Sequence, residues 1–253
     1  MKATCEKQIK EEIVVELVHG IRSKMPRLGG KKLYRILKPD LEKLGKIGRD
    51  KFFDILGRHH LLVERKRNYT VTTNSLHRFY KYTNLLYDRK ITASNQCWVC
   101  DITYIRTRQG FVYLFLITDA YSRKIVGYCL SGSLSIEGAI KALKMAFKQR
   151  GKISEGLIHH SDRGIQYCSK DYVKLLLKNK VQISMTQENH CYENAKAERV
   201  NGILKDEFLL DSTFNDIGTA RKAVGQAVET YNMLRPHWAL DLLTPQQVHQ
   251  LAA

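Results

Sequence analysis

The fold class is decided by the stretch Trp98-Val99-Cys100-Asp101-Ile102-Thr103-Tyr104-Ile105. Its β-branched and aromatic residues predict a β-strand, because such side chains pack well on a pleated, half-buried surface. Asp101 departs from this pattern, since a carboxylate among apolar strand residues is costly unless it is paired or binds a metal ion. The stretch therefore predicts both a central strand and a candidate functional residue.

The segments that follow this strand predict a mixed α/β domain. Further strands are expected at 111–119, 124–130, 156–160 and 181–185, and helices at 136–149, 171–179 and 194–210. Three strands, a helix, a strand, a helix, a strand and a helix is the element order of an RNase H-like fold. We therefore expect a mixed five-stranded sheet flanked by helices, followed by a helix through Thr230 and then a tail.

The first 70 residues predict a small all-α domain. Apolar residues recur at helical spacing over 7–25, about 30–45 and 49–59, with a glycine-bearing turn before the third helix. Three short helices of this kind resemble a helix-turn-helix, with a plain three-helix adaptor as the alternative. Lys38-Pro39 is expected to kink or split the second helix. A small wing is expected around the basic run at 64–68.

The charge of the chain indicates a polyanionic partner. Lys and Arg number 42 against 25 Asp and Glu, a net charge of +17. Residues 1–95 alone hold 22 basic and 10 acidic side chains. Nucleic acid is the default partner for such a balance, and a merely basic protein is the alternative. The candidate DNA contacts in this region are Arg49, Lys51, Arg58, Arg65, Lys66 and Arg67.

These patterns divide the chain into four parts. They are a helix-turn-helix-like DNA-binding domain over 1–70, a basic linker over 71–95, an α/β core over 96–215 and a C-terminal helical tail over 216–253. The linker is expected either to touch DNA or to be a solvated connector.

The start of the chain and its cysteines indicate the compartment. The first residues are charged and contain no apolar signal-peptide region, and no stretch approaches the roughly 20 apolar residues of a membrane span. We expect a cytoplasmic, nucleoid-associated protein with free thiols. Cys97 and Cys100 are expected as buried strand residues, because a zinc site needs a second ligand pair at a fitting spacing.

Two further acids lie where they can meet Asp101. Asp162 follows the fourth predicted strand, and Glu198 lies on the last long helix of the core. Convergent carboxylates can hold two divalent ions, which suit phosphoryl transfer between DNA strands. Asn194, Asn201 and Lys205 share a helix face with Glu198 by their spacing, and we expect this face on the solvent side.

Other polar residues near these acids have two readings each. Asp119 is either a fourth metal ligand or, as we favour, the cap of the turn before Ser122 and Arg123. His159 and His160 are either a general base or hydrogen-bonding residues beside the end of a strand.

Several motifs make the resemblance to a known family specific. Thirty-five residues separate Asp162 from Glu198. The motifs are Trp98-x-x-Asp101-Ile-Thr-Tyr-Ile, Asp119-x-x-Ser122-Arg123, His160-Ser161-Asp162-Arg163-Gly164, Cys191-Tyr192-x-Asn194-Ala195-x-x-Glu198, Tyr231-Asn232-x-x-Arg235-Pro236-His237 and Thr244-Pro245. From about residue 9 to its end, the chain resembles the second-frame (orfB) insertion-sequence transposases, relatives of the retroviral integrases. Glu193 and Asn189 depart from the family, which often has Asp and Gly there.

The resemblance implies a polynucleotidyl transferase of the DDE type. It implies metal-dependent DNA cleavage and strand transfer through Asp101, Asp162 and Glu198, with two Mg²⁺ or Mn²⁺ ions per active site. It also implies terminal inverted repeats and target DNA as partners, a homo-oligomer on DNA, and an upstream-frame protein or frameshift fusion. The DNA contacts expected on the acid-bearing helix are Asn194, Arg199, Asn201 and Lys205. An RNase H-like nuclease that cuts without joining and a non-catalytic DNA-binding regulator are the alternatives.

Overall fold

A computed structural model describes residues 2–45, 47–64, 79–150, 156–187 and 194–251. The chain forms two compact units. One contains residues 1–68 and 206–209, and the other contains residues 69–205 and 210–253. We call them the helical unit and the core unit.

The helical unit is built from the three expected helices. These are α1 (Lys2–Arg22), α2 (Gly30–Lys43) and α3 (Arg49–Arg58). Their buried apolar side chains are Val14, Val18, Leu33, Leu37, Leu41, Phe52, Ile55 and Leu56. Pro39 lies inside α2 without splitting it, and Leu41 after it is buried. The candidate wing falls mainly on residues 65–78, outside the described residues.

The core unit contains the mixed five-stranded sheet that the sequence predicts. Its strands are β1 (Cys97–Thr107), β2 (Gly110–Asp119), β3 (Ile125–Ser131), β4 (Ile158–Ser161) and β5 (Gln182–Met185). They lie in the order β3-β2-β1-β4-β5. The first three strands pair antiparallel, whereas β4 pairs parallel with both β1 and β5. The sheet and its flanking helices confirm the predicted RNase H-like fold class.

Helices flank this sheet. They are α4 (Ile136–Arg150), α5 (Ile165–Cys168), α6 (Lys170–Lys178), α7 (Ala195–Glu207), α8 (Ile217–Met233) and α9 (Pro245–Leu251), and a 3-10 helix spans Trp238–Leu240. The helix α4 packs so closely on β3 that a Cβ at Gly127 would lie 2.2 Å from the carbonyl oxygen of Ala142. Among the described helices, none is long and apolar enough to cross a membrane.

The C-terminal region differs from the expected tail. Tyr231 Oη donates a hydrogen bond to the carbonyl of Arg123. Asn232 pairs with both the N–H and the C=O of Ile125 at the start of β3. On α9, His249 Nδ1 lies 2.9 Å from the hydroxyl oxygen of Ser122. Helices α8 and α9 are therefore attached to the turn between β2 and β3, a contact that local periodicity does not indicate.

The unequal lengths of two parallel strands prepare the functional site. The strand β4 pairs with β1 only over Cys97–Cys100, and its last residue, Ser161, lies opposite Cys100. The next residue along β1 is Asp101, and the residue that directly follows β4 is Asp162. The register of the sheet therefore brings these two acids side by side at the end of β4.

Candidate active site

Asp101 is partly buried, and the surrounding protein determines the orientation of its carboxylate. Its Oδ1 accepts a hydrogen bond from the backbone N–H of Ile102 at 2.9 Å, and its Oδ2 accepts one from Asn201 Nδ2 at 2.7 Å. Burial and the charge of Asp162, with a smaller contribution from Glu198, raise the pKa of Asp101 to about 7. The hydrogen bonds oppose this rise but do not cancel it.

Asp162 faces the same open cavity as Asp101, a space of about 160 Å³. Its Oδ1 accepts a hydrogen bond from the backbone N–H of Gly164 at 3.0 Å, in the turn that leads into α5. This turn follows β4 directly, so the side chain of Asp162 is placed by a strand end and a helix start together.

Glu198 lies in the first turn of α7 and is exposed. Burial, followed by the charge of Asp162, raises its pKa. The charge of Asp162 thus disfavours the ionised forms of both Asp101 and Glu198. Such a group of acids gains from a bound cation, which replaces their repulsion with attraction.

The donor set fits oxygen-seeking divalent cations. The carboxylates of Asp101 and Asp162 line one cavity, and carboxylate oxygens are the ligands that such cations prefer. Within the described part of the chain, no three His, Cys, Asp or Glu side chains are close enough together to form a ready-made cage for one ion.

Asn194 and Asn201 are buried, with 3% and 5% of their surface exposed, so their predicted solvent-side position is wrong. Asn194 Nδ2 donates to the carbonyl of Cys100, and Asn201 Nδ2 donates to Asp101. The helix spacing correctly placed the two amides on one face, but that face packs against β1. Their position favours holding the strand and its carboxylate over contacting DNA.

The other candidate contacts of α7 lie near the acids. Lys205 is partly buried, and its Nζ lies 4.1 Å from the ring centroid of Tyr104. Burial lowers its pKa, and the neighbouring groups Tyr104, Asp101 and Asp211 oppose this change. Arg199 is exposed, next to Glu198 in the chain.

The candidate contacts in the helical unit are exposed side chains of α3. Arg49 Nε lies 2.9 Å from Asp50, and Arg58 Nη2 lies 2.9 Å from Glu11 on α1, whereas Lys51 is exposed. The basic run Arg65, Lys66 and Arg67 lies outside the described residues, as do residues 191–193 of the acid-bearing motif.

Asp119 caps a turn, as favoured from the sequence. It is fully buried, and its Oδ1 accepts hydrogen bonds from the backbone N–H groups of Tyr121 and Ser122 and from the Ser122 hydroxyl. Its Oδ2 accepts from the N–H of Asn95 at 2.7 Å. With both oxygens engaged in this way, Asp119 is a structural residue at the opposite end of β2 from Gly110.

The two histidines before Asp162 are buried and hydrogen-bonded. His159 Nε2 lies 2.9 Å from Cys100 Sγ and 2.8 Å from the hydroxyl of Tyr172. Burial, with His160 beside it, lowers the pKa of His159 to about 3, so the ring is neutral. His160 Nδ1 lies 2.8 Å from the Ser184 hydroxyl. The contact with Tyr172 was not expected from the sequence, where this tyrosine reads as one apolar position of a helix.

Comparisons with known proteins agree with this architecture. Two family models, both described as "Integrase core domain", match residues 91–191 and 179–245. The 31 kDa protein of insertion element IS600 from Shigella sonnei is 37% identical over 213 residues, covering 82% of this chain and 78% of that protein. Transposase InsF of insertion sequence IS3A from Escherichia coli K12 is 34% identical over 194 residues, covering 76% of this chain and 67% of that protein.

Solved structures share the fold at low sequence identity. The catalytic core domain of HTLV-2 integrase in complex with magnesium aligns with a TM-score of 0.50 at 19% identity, covering 63% of this chain and 99% of that chain. A simian T-cell lymphotropic virus intasome, in complex with the PP2A regulatory subunit B56 gamma, aligns with a TM-score of 0.55 at 19% identity, covering 87% of this chain and 74% of that chain.

Proposed function

The chain belongs to the insertion-sequence transposases with an integrase core domain, and from this premise we propose that Asp101, Asp162 and Glu198 are its catalytic carboxylates. Enzymes of this family are polynucleotidyl transferases that act in DNA transposition. The observation that carries the assignment is the cavity shared by Asp101 and Asp162, and it is supported by the raised pKa values of Asp101 and Glu198, to which the charge of Asp162 contributes after burial.

The proposed reaction consists of two phosphoryl transfers. In cleavage, a water oxygen bonds to the phosphorus at an element end, and the bond from phosphorus to the 3′ oxygen breaks and leaves a 3′ hydroxyl. In joining, that hydroxyl oxygen bonds to a target phosphorus, and the target strand loses its own 3′ oxygen as the leaving group. Asp101, Asp162 and Glu198 would hold two Mg²⁺ or Mn²⁺ ions, which when bound would supply activation of the attacking oxygen and stabilisation of the leaving oxygen.

The residues of the chain position the groups that react. Asn201 and the N–H of Ile102 fix the carboxylate of Asp101, and the N–H of Gly164 fixes that of Asp162. His159 contacts Cys100 and is a weak base, because its pKa is lowered to about 3. Activation of the water by bound cations is therefore favoured over activation by this ring.

Binding of DNA is assigned to both units. In the helical unit, Arg49, Lys51 and Arg58 are the proposed contacts with the terminal inverted repeats. In the core unit, Lys205 and Arg199 are the proposed contacts with phosphates beside the acids. We expect Lys205→Ala to weaken end binding and to reduce the slope of log affinity against log salt by about 1, measured by a binding titration across a salt series.

The proposed assembly is a homo-oligomer on DNA, because the two ends of an element must be held together before they are joined to a target. An upstream-frame protein, or a frameshift fusion to one, is the further partner we propose. The place of action is then the nucleoid.

The decisive experiment measures cleavage on uncleaved ends and strand transfer on pre-cleaved ends, both taken from the DNA that flanks the gene. We expect Asp162→Asn to abolish both cleavage and joining in Mg²⁺ while end binding is retained. The matched control is Asp171→Asn, which changes an exposed acid in the first turn of α6. Cleavage without joining by the wild-type chain would support a nuclease instead, and binding without metal-dependent cleavage would support a regulator.

A further inference from the structure

An exposed group of apolar side chains continues the cavity away from the acids. We call it the aromatic patch and define it by Tyr104, Phe111, Tyr113, Leu134 and Ile165. The rings of Tyr104 and Phe111 meet edge to face, with centroids 5.0 Å apart. Tyr104 and Tyr113 are directly opposite each other in the β1–β2 pair, so their side chains lie on one face of the sheet.

The aromatic patch is exposed to an extent unusual for a contiguous apolar surface. Phe111 is 49% exposed, Leu134 44% and Ile165 43%. The helix α4 packs on the same sheet face over Phe115 and Ile117, in the main hydrophobic core. The patch follows that core towards the start of β2, and exposed contiguous apolar surfaces of this kind mark binding sites.

The aromatic patch and the catalytic acids share one cavity. Tyr104, Tyr113, Leu134 and Ile165 line the same space as Asp101 and Asp162. Gln166 Nε2 donates a hydrogen bond to the carbonyl of Leu134 at 2.8 Å, and this bond connects two of the segments that line the cavity. A DNA strand whose phosphate lies at the acids therefore has its neighbouring nucleotide within reach of the patch.

Two basic side chains lie over rings of the aromatic patch. Lys205 Nζ lies 4.1 Å from the centroid of Tyr104, and the Arg106 guanidinium lies 5.7 Å from the centroid of Phe111. A surface that combines aromatic rings with cations matches the two chemical parts of a nucleotide, a flat base and a charged phosphate. An acyl chain or an aliphatic helix face would lack the flat aromatic surface that a base offers to the rings.

We propose that the aromatic patch binds an unpaired nucleobase of the DNA strand whose phosphate lies at the acids. The inference rests on the proposed function, because it places that strand at Asp101 and Asp162. Removing a base from its stack is unfavourable, and stacking on an aromatic side chain compensates for it. The patch would thereby hold the strand on each side of the reacting phosphate in a fixed, locally unpaired path.

The first test measures binding of a fluorescein-labelled dT12 oligonucleotide to the full chain in EDTA, by fluorescence anisotropy. We expect Phe111→Leu and Tyr113→Leu each to weaken binding by about tenfold, because each removes a stacking ring but keeps an apolar side chain. The control is Tyr128→Leu, which changes a β3 tyrosine that shares a sheet face with Leu116 rather than with Tyr113. Unchanged binding by both patch variants, or equal weakening by the control, would overturn the proposal.

A second test identifies the contact directly and does not depend on the variants folding. A dT12 oligonucleotide with one 5-iododeoxyuridine is irradiated with the wild-type chain, and the cross-linked peptide is identified by mass spectrometry. We expect the cross-link on Tyr104, Phe111 or Tyr113. Cross-links confined to other residues would contradict the proposal.

The two proposals can fail separately. If the wild-type chain joins DNA but dT12 neither cross-links to the patch nor responds to its variants, only the aromatic patch is refuted. If dT12 behaves as expected and Asp162→Asn still joins DNA, the catalytic assignment fails and the patch remains a site for single-stranded DNA.

Discussion

Asp101 and Asp119 lie on neighbouring strands of one sheet, but their surroundings differ. Asp119 is fully buried, and its two oxygens accept hydrogen bonds from Asn95, Tyr121 and Ser122. Asp101 accepts a bond at each oxygen but shares an open cavity with Asp162, whose charge contributes to its raised pKa. The same carboxylate is a structural cap where donors surround it and a candidate metal ligand where acids do.

The largest expected difference between these two aspartates is in catalysis. We expect Asp101→Asn to reduce strand transfer by at least about a thousandfold, because loss of a metal-binding carboxylate removes several kcal/mol of transition-state stabilisation. Asp119→Asn should keep its activity per folded molecule within a few-fold of wild type. The measurement is single-turnover joining of pre-cleaved ends, and equal losses in the two variants would erase the distinction.

The second difference concerns stability. Asp119→Ala should lower the free energy of unfolding by about 3 kcal/mol, because it leaves several buried N–H groups without an acceptor. Urea unfolding in EDTA checks this value, with Asp171→Ala as the exposed control. A loss below about 1 kcal/mol would show that water replaces the carboxylate and that Asp119 is not the cap described above.

A third prediction concerns the side-chain amide donor, Asn201, which Asp101 has and Asp119 lacks. Asn201→Ala removes the 2.7 Å bond to Asp101 without touching the other acids. We expect the Mg²⁺ concentration that gives half-maximal joining to rise about 10- to 100-fold, as for other groups that orient a metal ligand. Because Asn201 acts through Asp101, saturating metal should restore most of the rate. A loss of rate that no metal concentration restores would assign Asn201 a direct catalytic role instead.

The smallest expected effect is the pH dependence of stability without metal. The pKa of Asp101 is about 7 in the folded protein, against roughly 3.9 for an unfolded chain. The folded state therefore holds this proton more tightly, and the contribution of Asp101 to the free energy of unfolding falls as the pH rises from about 4 to about 7.

Asp101→Asn removes this dependence. At pH 8 in EDTA we expect the variant to be more stable than wild type by about 1–3 kcal/mol, a value reduced by solvent screening at a partly exposed group. The advantage should shrink towards pH 5, and Asp119→Asn should not show it. A wild-type chain as stable as Asp101→Asn at pH 8 would contradict the raised pKa.

The sequence was sufficient for the features that depend on local pattern. Runs of β-branched and aromatic residues identified the strands, and a carboxylate in such a run drew attention to Asp101. Turn chemistry was enough to favour Asp119 as a cap, because Asp commonly bonds the backbone two or three residues ahead. Asp162 and Glu198 were singled out by their places after the fourth predicted strand and on the last long helix, and the sheet register explains why the first of them meets Asp101.

What the sequence could not decide depends on tertiary packing. The spacing of Asn194 and Asn201 defines a helix face but not whether that face meets solvent or β1. The short helices α5 and α9 are too brief for a periodic signal, and the bond between His249 and Ser122 joins residues 127 positions apart. The aromatic patch was equally hard to predict, because nothing in the sequence sets its residues apart before the fold brings them together beside one cavity.

The pairing of Asn232 with Ile125 has a consequence for self-association. A strand at the border of a sheet carries unpaired peptide groups that can recruit a strand from another molecule. The side-chain amide of Asn232 imitates a peptide unit and takes both the N–H and the C=O of Ile125 at the start of β3, the outermost strand on its side. One amide thus occupies, at this position, the two peptide groups that a strand from another molecule would need for pairing.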